Sequence, residues 1–464
     1  MASIVVCGGS VVGLTAAMLL ARDGHRVVVL EQDAAPPPGT PLEAWEGWDR
    51  RGVAQFHQAH QLFPPFRHIL DDELPGTVDR LVDAGCVWVD PLAMQPPSIT
   101  DKSRRPGDDR FRFVTGRRPV VESVLARAAS EEEGVDVRRG VTVAGLLTGG
   151  SVAGGIPHVT GVVTEAGDEI GADLVVDASG RRTRLAEWLV AAGARAPYVE
   201  TEDSGFVYHT RHFRGPRRPR LLAAPISDIG TISLLTIPGD NDTWSVTVWG
   251  ASADPALKAL RDPDRFTAVV QACPLHARWV RGDPITDVLT MAGKLDRYRR
   301  FVVDGEPVAT GVVAVGDAWA CTNPSAGRGI TVGLMHARCL RDVVRSHVED
   351  PEGMVRVWDR ETEARVAPFY WTQIAADRVR IAEMDALRRG DEPAPRDPDE
   401  LAVAAATVLD PQVFRGVLEI ALCLALPAEV FARPGFMERV RAVGTVRPMT
   451  IPGPDRGALL ELLA

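Results

Sequence analysis

The sequence predicts an α/β fold: a parallel sheet flanked by helices, an antiparallel β-sheet inserted into it, and a C-terminal helical region. Three observations predict it. The first 31 residues read strand, glycine turn, helix, strand, acid; residues 205–250 switch to a period of two; and the pattern from 351 onward is helical. At 464 residues the chain exceeds what one core organises, so two or three structural units are expected.

The opening stretch justifies the parallel unit. Ser3 to Cys7 is a short apolar run, broken by Gly8-Gly9-Ser10-Val11-Val12-Gly13. Leu14 to Arg22 reads as an Ala- and Leu-rich helix, and Arg26 to Leu30 as a second buried strand ending at Glu31. This is the first βαβ unit of a Rossmann-type dinucleotide-binding fold. Gly8 permits the tight turn, and Gly13 lets the helix pack on the strand. Ser10 stands where a second glycine is usual; it is small, and its hydroxyl can reach a phosphate oxygen. The helix start at Val11 and Val12 offers free N–H groups and the positive end of the helix dipole to a pyrophosphate. Glu31, 18 residues past Gly13, is placed to accept from a ribose hydroxyl.

Further along, residues 33–47 read as a Pro-rich loop, Phe63 to Leu74 as a helix and 95–110 as a mobile polar loop. A helix starts near Arg118-Pro119, where a proline costs no hydrogen bond. Strands are expected over 135–143, 159–164 and 172–177, with a Gly-rich turn at 149–155. Phe206, Tyr208, Thr210 and His212 alternate with Val207, His209, Arg211 and Phe213, and similar alternation over 232–237 and 244–249 predicts an antiparallel sheet with a covered face. A Val-rich strand over 307–315 and a helix over 331–346 then return to the first unit.

Composition narrows the function classes. The net charge of −10 argues against a nucleic-acid partner. Six scattered cysteines lack metal-ligand or disulfide spacing, so no metal is expected. No basic and apolar leader precedes the first strand, and Ile420 to Leu426 is too short to span a bilayer, so a cytoplasmic protein with no membrane partner is expected.

Three segments end a buried strand in glycine and polar residues: 8–13, 177–182 and 316–329. Ligands of doubly wound sheets sit beyond the carboxyl ends of the strands, so these should converge. Jointly, GGSVVG with Glu31, WDRRGVAQ, GRRPVVESVL, DASGRR and GDAWACTNPSAGRG resemble the flavoprotein monooxygenases of the p-hydroxybenzoate hydroxylase type, over roughly residues 1–350. The chain looks closest to bacterial relatives that epoxidise or hydroxylate polyketides, terpenoids and styrene. The resemblance implies an FAD-binding domain in three parts (1–75, 105–185 and 301–350), a substrate-domain excursion at 76–104, a β-sheet substrate domain at 186–300 and a helical region at 351–464. It implies that Glu31 holds the adenosine ribose, Arg50 the pyrophosphate, Arg118 the phosphate or ribityl side and Asp317 the ribityl chain, with Gly327, Arg328 and Gly329 under the pyrimidine edge. Gln55, Asp177, Gly316 and Pro324 complete the expected cofactor contacts.

The implied reaction is insertion of one oxygen atom from O2 into an apolar small molecule, by epoxidation or hydroxylation through a flavin C4a-hydroperoxide, with secondary metabolism as its setting. Such chemistry needs water excluded and the substrate held at near-attack distance; the flavin supplies the reactivity. Candidates for the pocket are Tyr208, His209, Trp244 and Trp249 from the sheet, with His57 and His60 beside the flavin turn. Trp244 and Trp249 fall on opposite strand faces, so at most one can line it. The Asp177-Ala178-Ser179-Gly180 turn looks more like relatives fed reduced flavin by a partner flavin reductase than like those that bind NAD(P)H directly. It is shared with geranylgeranyl-reductase-type saturases and halogenases. A saturase, a halogenase and a non-catalytic flavin-binding protein are therefore the alternatives. For a halogenase, Trp45-Glu46-Gly47-Trp48 has the wrong spacing, and Lys102 would have to lie between flavin and substrate. The helices after 351 have two readings, a homodimer face or a cover for the pocket.

Overall fold

A computed structural model of the chain describes residues 1–150, 155–443 and 451–464. Its centre is a five-stranded sheet in the order Val312–Ala314, Leu174–Asp177, Ser3–Cys7, Arg26–Glu31, Val135–Arg139, with every pairing parallel. These strands are near-continuous Val, Ile and Leu because both faces are covered. One face carries Ile4, Val6, Val27 and Val29 against the helices Val11–Arg22, Arg118–Glu131 and Gly329–His347. The other carries Val5, Val175 and Ala314 against Leu185, Trp319 and Tyr370.

The second large sheet is antiparallel, in the order Ile226–Ile229, Ile232–Pro238, Thr243–Ala251, Phe206–Arg214, Asp283–Pro284, with Leu289–Ala292 also paired to Phe206–Arg214. Both its faces are buried. Trp244, Val246, Val248 and Leu234 pack on Phe266, Val269 and Val270 of the helix Pro263–Gln271 and on Leu459 and Leu463 of the last helix. Phe206, Tyr208, Trp249 and Met291 face the other way, against Met384 of the helix Ala367–Arg389. Strand alternation sorts these two sets.

The α/β fold with an antiparallel sheet and C-terminal helices is as the sequence predicts, with local differences. Within the expected loop 33–47, Pro41–Glu46 forms a helix, because Thr40 and Glu43 make a reciprocal capping box ahead of it. The stretch 95–110 contains a 3-10 turn at Asp108–Phe111, and Asp108 is clamped by Arg415 from the C-terminal helices. The strand expected over 135–143 is two, Val135–Arg139 and Val143–Thr148, separated at Gly140. Residues 151–154 of the Gly-rich turn lie outside the described residues. Among the described residues no single helix is long and apolar enough to cross a membrane.

One ion pair ties the two sheets. Asp240, in the turn between Ile232–Pro238 and Thr243–Ala251, receives Nε and Nη2 of Arg117 at 2.9 and 2.7 Å and the Arg117 backbone N–H at 2.8 Å. Asp240 is wholly buried, and Arg117 lies over the Trp45 ring. Burial pushes the Asp240 pKa up, but the Arg117 hydrogen bonds and charge outweigh it and hold the group below the usual carboxylate range. The pair's stabilisation is therefore present above about pH 4 and is lost as pH falls below that. Asp240→Ala leaves the Arg117 charge buried without a partner and should cost about 3–5 kcal/mol in urea unfolding at pH 7; a loss below about 1 kcal/mol would show that the pair does not hold the sheets together.

Candidate functional site

The three strand-end turns meet because their strands are adjacent. Cys7 and Ala314 both pair with Asp177 across Leu174–Asp177, so the three carboxyl ends are level. The turns then touch. Gly8 has φ +113°, and a Cβ there would lie 2.5 Å from the carbonyl oxygen of Ala178. A Cβ at Gly13 would collide with the Gly8 carbonyl oxygen. These two glycines are required by close approach, as the sequence predicts.

Between the turns runs a cleft of about 1550 Å³, counting the part open to solvent. Of the residues expected at a cofactor, Ser10, Val11, Val12, Gly13, Gln55, Arg118, Gly316, Asp317, Pro324, Gly327, Arg328 and Gly329 line it. The helix start at Val11 presents N–H groups without intrahelical partners. Ser10 spends nothing on capping: its hydroxyl donates to Glu122 at 3.1 Å and accepts from Arg118 Nη2 at 3.0 Å. Asp317 stands 3.7 Å from Arg181 across the cleft wall. His336 accepts the Gly316 N–H at Nδ1 and faces Thr362 at Nε2, which pins the third turn to its own following helix. Burial pushes the His336 pKa down to about 3, so the ring is neutral there.

Gly8, Glu31, Arg50 and Asp177 are set behind the lining. Arg50 was expected to reach the pyrophosphate. Instead it is 2% exposed and fully engaged: Nη2 on Glu31 at 2.6 Å, Nε on Asp33 at 2.7 Å and Nη1 on Glu122. Three carboxylates hold one guanidinium, because Glu31 and Glu122 would otherwise be buried charges without a counter-ion. Glu31 in turn accepts the Gly9 N–H at 2.8 Å, which fixes the first turn. Arg118 neutralises the second oxygen of Glu122 at 3.1 Å and keeps Nη1 against His60 Nε2 at 3.3 Å. Asp177 accepts Ser179 N and Oγ and the Thr183 hydroxyl, so it caps its own turn instead of facing the cleft. Burial raises its pKa against those hydrogen bonds.

The expected pocket residues divide. His60 lines the cleft; its Nδ1 faces the Gln58 carbonyl, and burial, then the Arg118 charge, push its pKa down to about 3. His57 packs edge-on against Trp45, outside the lining. Tyr208 and Trp249 share the sheet face turned toward the cleft and stack at 6.1 Å, but Met291 beside them is the residue that reaches it. Tyr208 is buried with its hydroxyl on Asn323. Trp244 and His209 are on the far face. Trp244 donates to the Trp279 carbonyl at 2.7 Å in the core, and His209 meets Thr290, so neither serves a pocket here. Sequence reasoning missed Lys294, in the turn before Asp296–Arg300, and the apolar wall of Val332, Val366, Phe369 and Tyr370. Burial, then Arg181 and Arg182, lower the Lys294 pKa. Lys102 is exposed, away from this cleft.

Comparison with known proteins bears on the fold. The tryptophan halogenase family model matches residues 118–198. Protein Rv3254 of Mycobacterium tuberculosis is 29% identical over 433 residues, covering 84% of this chain and 82% of its own. Ubiquinone hydroxylase UbiL of Rhodospirillum rubrum is 25% identical over 348 residues, covering 74% and 72%. The flavin-dependent brominase Bmp2 superposes with TM-score 0.61 at 17% identity, covering 94% of this chain and 96% of that one. The chain has the FAD-binding fold of flavin-dependent hydroxylases and halogenases.

Arg50→Met separates the two roles for that residue. It strands Glu31 and Glu122 and should lower the unfolding free energy of the flavin-free chain by about 3 kcal/mol or more. A guanidinium that served only a phosphate would leave that value unchanged.

Proposed function

We propose that the chain is an FAD-dependent monooxygenase that inserts one oxygen atom from O2 into an apolar small molecule. The observation that carries this reading is the single cleft built from three level strand ends, with a helix start and Arg118 at one end and an apolar wall at the other. The residues fit the cofactor. A Cβ at Gly327 or Gly329 would meet nothing within 4 Å, so a flat group can lie against that turn. The helix start at Val11 and the Arg118 guanidinium would hold a pyrophosphate and Asp317 a ribityl hydroxyl, whereas Glu31, buried on Arg50 and the Gly9 N–H, shapes the first turn from behind. Bound FAD supplies the oxygen-activating chemistry. Met291, Val332, Phe369 and Tyr370 exclude water from the reacting end, and neutral His60 keeps the Arg118 guanidinium in place without adding charge.

The Ser179-Gly180 turn supports reduction through a partner flavin reductase that draws on NAD(P)H. The hydroxylase name of one relative supports oxygen insertion into the substrate. A second reading, flavin-dependent halogenation, is favoured by one observation: Lys294, one of three lysines in the chain, lines the cleft. Turnover under isotopically labelled dioxygen, with FAD, a flavin reductase, NAD(P)H and added bromide, distinguishes them. The monooxygenase predicts one labelled oxygen in the product of an aromatic or polycyclic substrate panel and no bromine. A brominated product would transfer the assignment to the second reading, and hydrogen peroxide alone across the panel would contradict both.

Arg118→Met should weaken FAD binding about tenfold or more, read by quenching of flavin fluorescence, because it removes a charge-assisted hydrogen-bond donor from the phosphate end. Glu122 remains paired with Arg50, so the fold should survive. An unchanged dissociation constant would remove Arg118 from the site.

A further inference from the structure

Two basic residues line the cleft beside its apolar wall. Lys294 is half-buried, and among the described residues its amine has no hydrogen-bond partner and no carboxylate at ion-pair distance. Arg181, in the second strand-end turn, donates from Nη2 to the Thr322 carbonyl at 3.0 Å. Its Nε is buried without a hydrogen-bond partner, 3.7 Å from Asp317. The next residue along, Asn323, donates from Nδ2 to the Lys294 carbonyl at 3.0 Å, so the two cations are anchored on consecutive residues of one short segment. Arg297 Nη1 fixes the Arg181 backbone by donating to its carbonyl at 3.0 Å. Asp296, close to Lys294 in sequence, is no counter-ion for it. It is wholly buried and accepts from the Ser204 hydroxyl and the Asn323 N–H.

The cations stand where the apolar lining ends. Met291 lines the cleft just ahead of Lys294 and pairs with Tyr208, whose hydroxyl is on Asn323. Phe369 and Tyr370 continue that wall. A ligand lying along Met291 therefore brings one end to Lys294 and Arg181. Withdrawing a cation from water without a partner is costly, and charge-assisted hydrogen bonds to an anion relieve that cost as neutral groups do not. Burial, then Arg181 and Arg182, disfavour the charged form of Lys294, and no acid offsets them. Lys294 and Arg181 against the single acid Asp317 leave one net positive charge, which suits a monoanion. The planar donor edge of arginine beside the point charge of lysine matches a carboxylate.

We propose that Lys294 and Arg181 form an anion subsite at the end of the apolar wall, and that the substrate is an apolar body carrying a carboxylate. This rests on the cleft being the substrate site, and one arm of its test needs no flavin. Lys102, Lys258 and Lys294 are the only lysines, so reductive methylation with isotope-labelled formaldehyde gives few NMR resonances, and the one missing from Lys294→Met is that of Lys294. In the full chain without flavin, naphthoate should move the Lys294 resonance saturably while naphthamide leaves it in place, with Lys102 and Lys258 stationary under both. No movement, equal movement with naphthamide, or movement of all three lysines alike overturns the proposal. So does bromide alone moving Lys294 at concentrations as low as naphthoate does, because the site then serves a free anion. In the second arm the FAD-loaded chain is titrated and read by the visible flavin spectrum. Naphthoate should bind about tenfold more tightly than naphthamide, a preference that Lys294→Arg keeps and that falls to about twofold or less in Lys294→Met and Arg181→Met. A preference that survives Lys294→Met overturns the proposal, and so does FAD itself binding more than about tenfold weaker to Lys294→Met, which would place the lysine on the cofactor. If Arg181→Met does not fold, Lys294→Met carries both arms. Failure of FAD to bind the unaltered chain would defeat the flavin reading alone and leave the lysine resonances to decide.

Discussion

Cys7, Asp177 and Ala314 lie level across three adjacent parallel strands, and the rest of the site follows from that register. A slip of one residue in either pairing would turn a strand's buried side chains to the wrong face. With the register fixed, three segments separated by more than a hundred residues each are delivered to one place. The glycines at 8 and 13 then let the backbones close to contact. The turn at 316 is held from behind by His336, which burial keeps neutral and which can therefore accept a backbone N–H.

Charge is handled in the same layered way. Glu31 at the end of its strand and Glu122 in the helix Arg118–Glu131 are buried, and the protein neutralises them internally with Arg50. Arg118 is shared: one edge serves Glu122, and the rest faces the cleft. The inner arginine thus keeps Glu31 buried at the strand end, while the outer one, which lines the cleft, is the one we propose for an anionic ligand. Two arginines that look alike in sequence have different duties because one is enclosed by three carboxylates and the other by one.

Much of the frame was legible from local pattern. Apolar runs broken by glycine gave the parallel strands, and period-two alternation gave the antiparallel sheet, because each depends on residues close in sequence. The opposite faces of Trp244 and Trp249 were readable for the same reason. What alternation could not tell is which face meets the cleft; that depends on where the helix Pro263–Gln271 packs, and Trp244 lies in the core it forms, with His209 on the same sheet face. The place of Arg50 was misjudged because its partner Glu122 lies 72 residues away on another element. Lys294 and Gln373 had no signal at all. No motif surrounds them, and only the path of the long helix Ala367–Arg389 from the cleft to the antiparallel sheet brings the latter to the site. That path also shows one of the helices after 351 lining the cleft.

The central claim is that one flavin lies across all three strand ends. The most direct measurement is the crystal structure of the chain grown with FAD. The account requires the pyrophosphate at the helix start by Ser10 and Val11, with Arg118 on it, and the ring against Gly327 to Gly329, facing Met291 and Phe369. Electron density for the ring elsewhere, or a pyrophosphate bound by Arg50 after it has left Glu31 and Glu122, would contradict it.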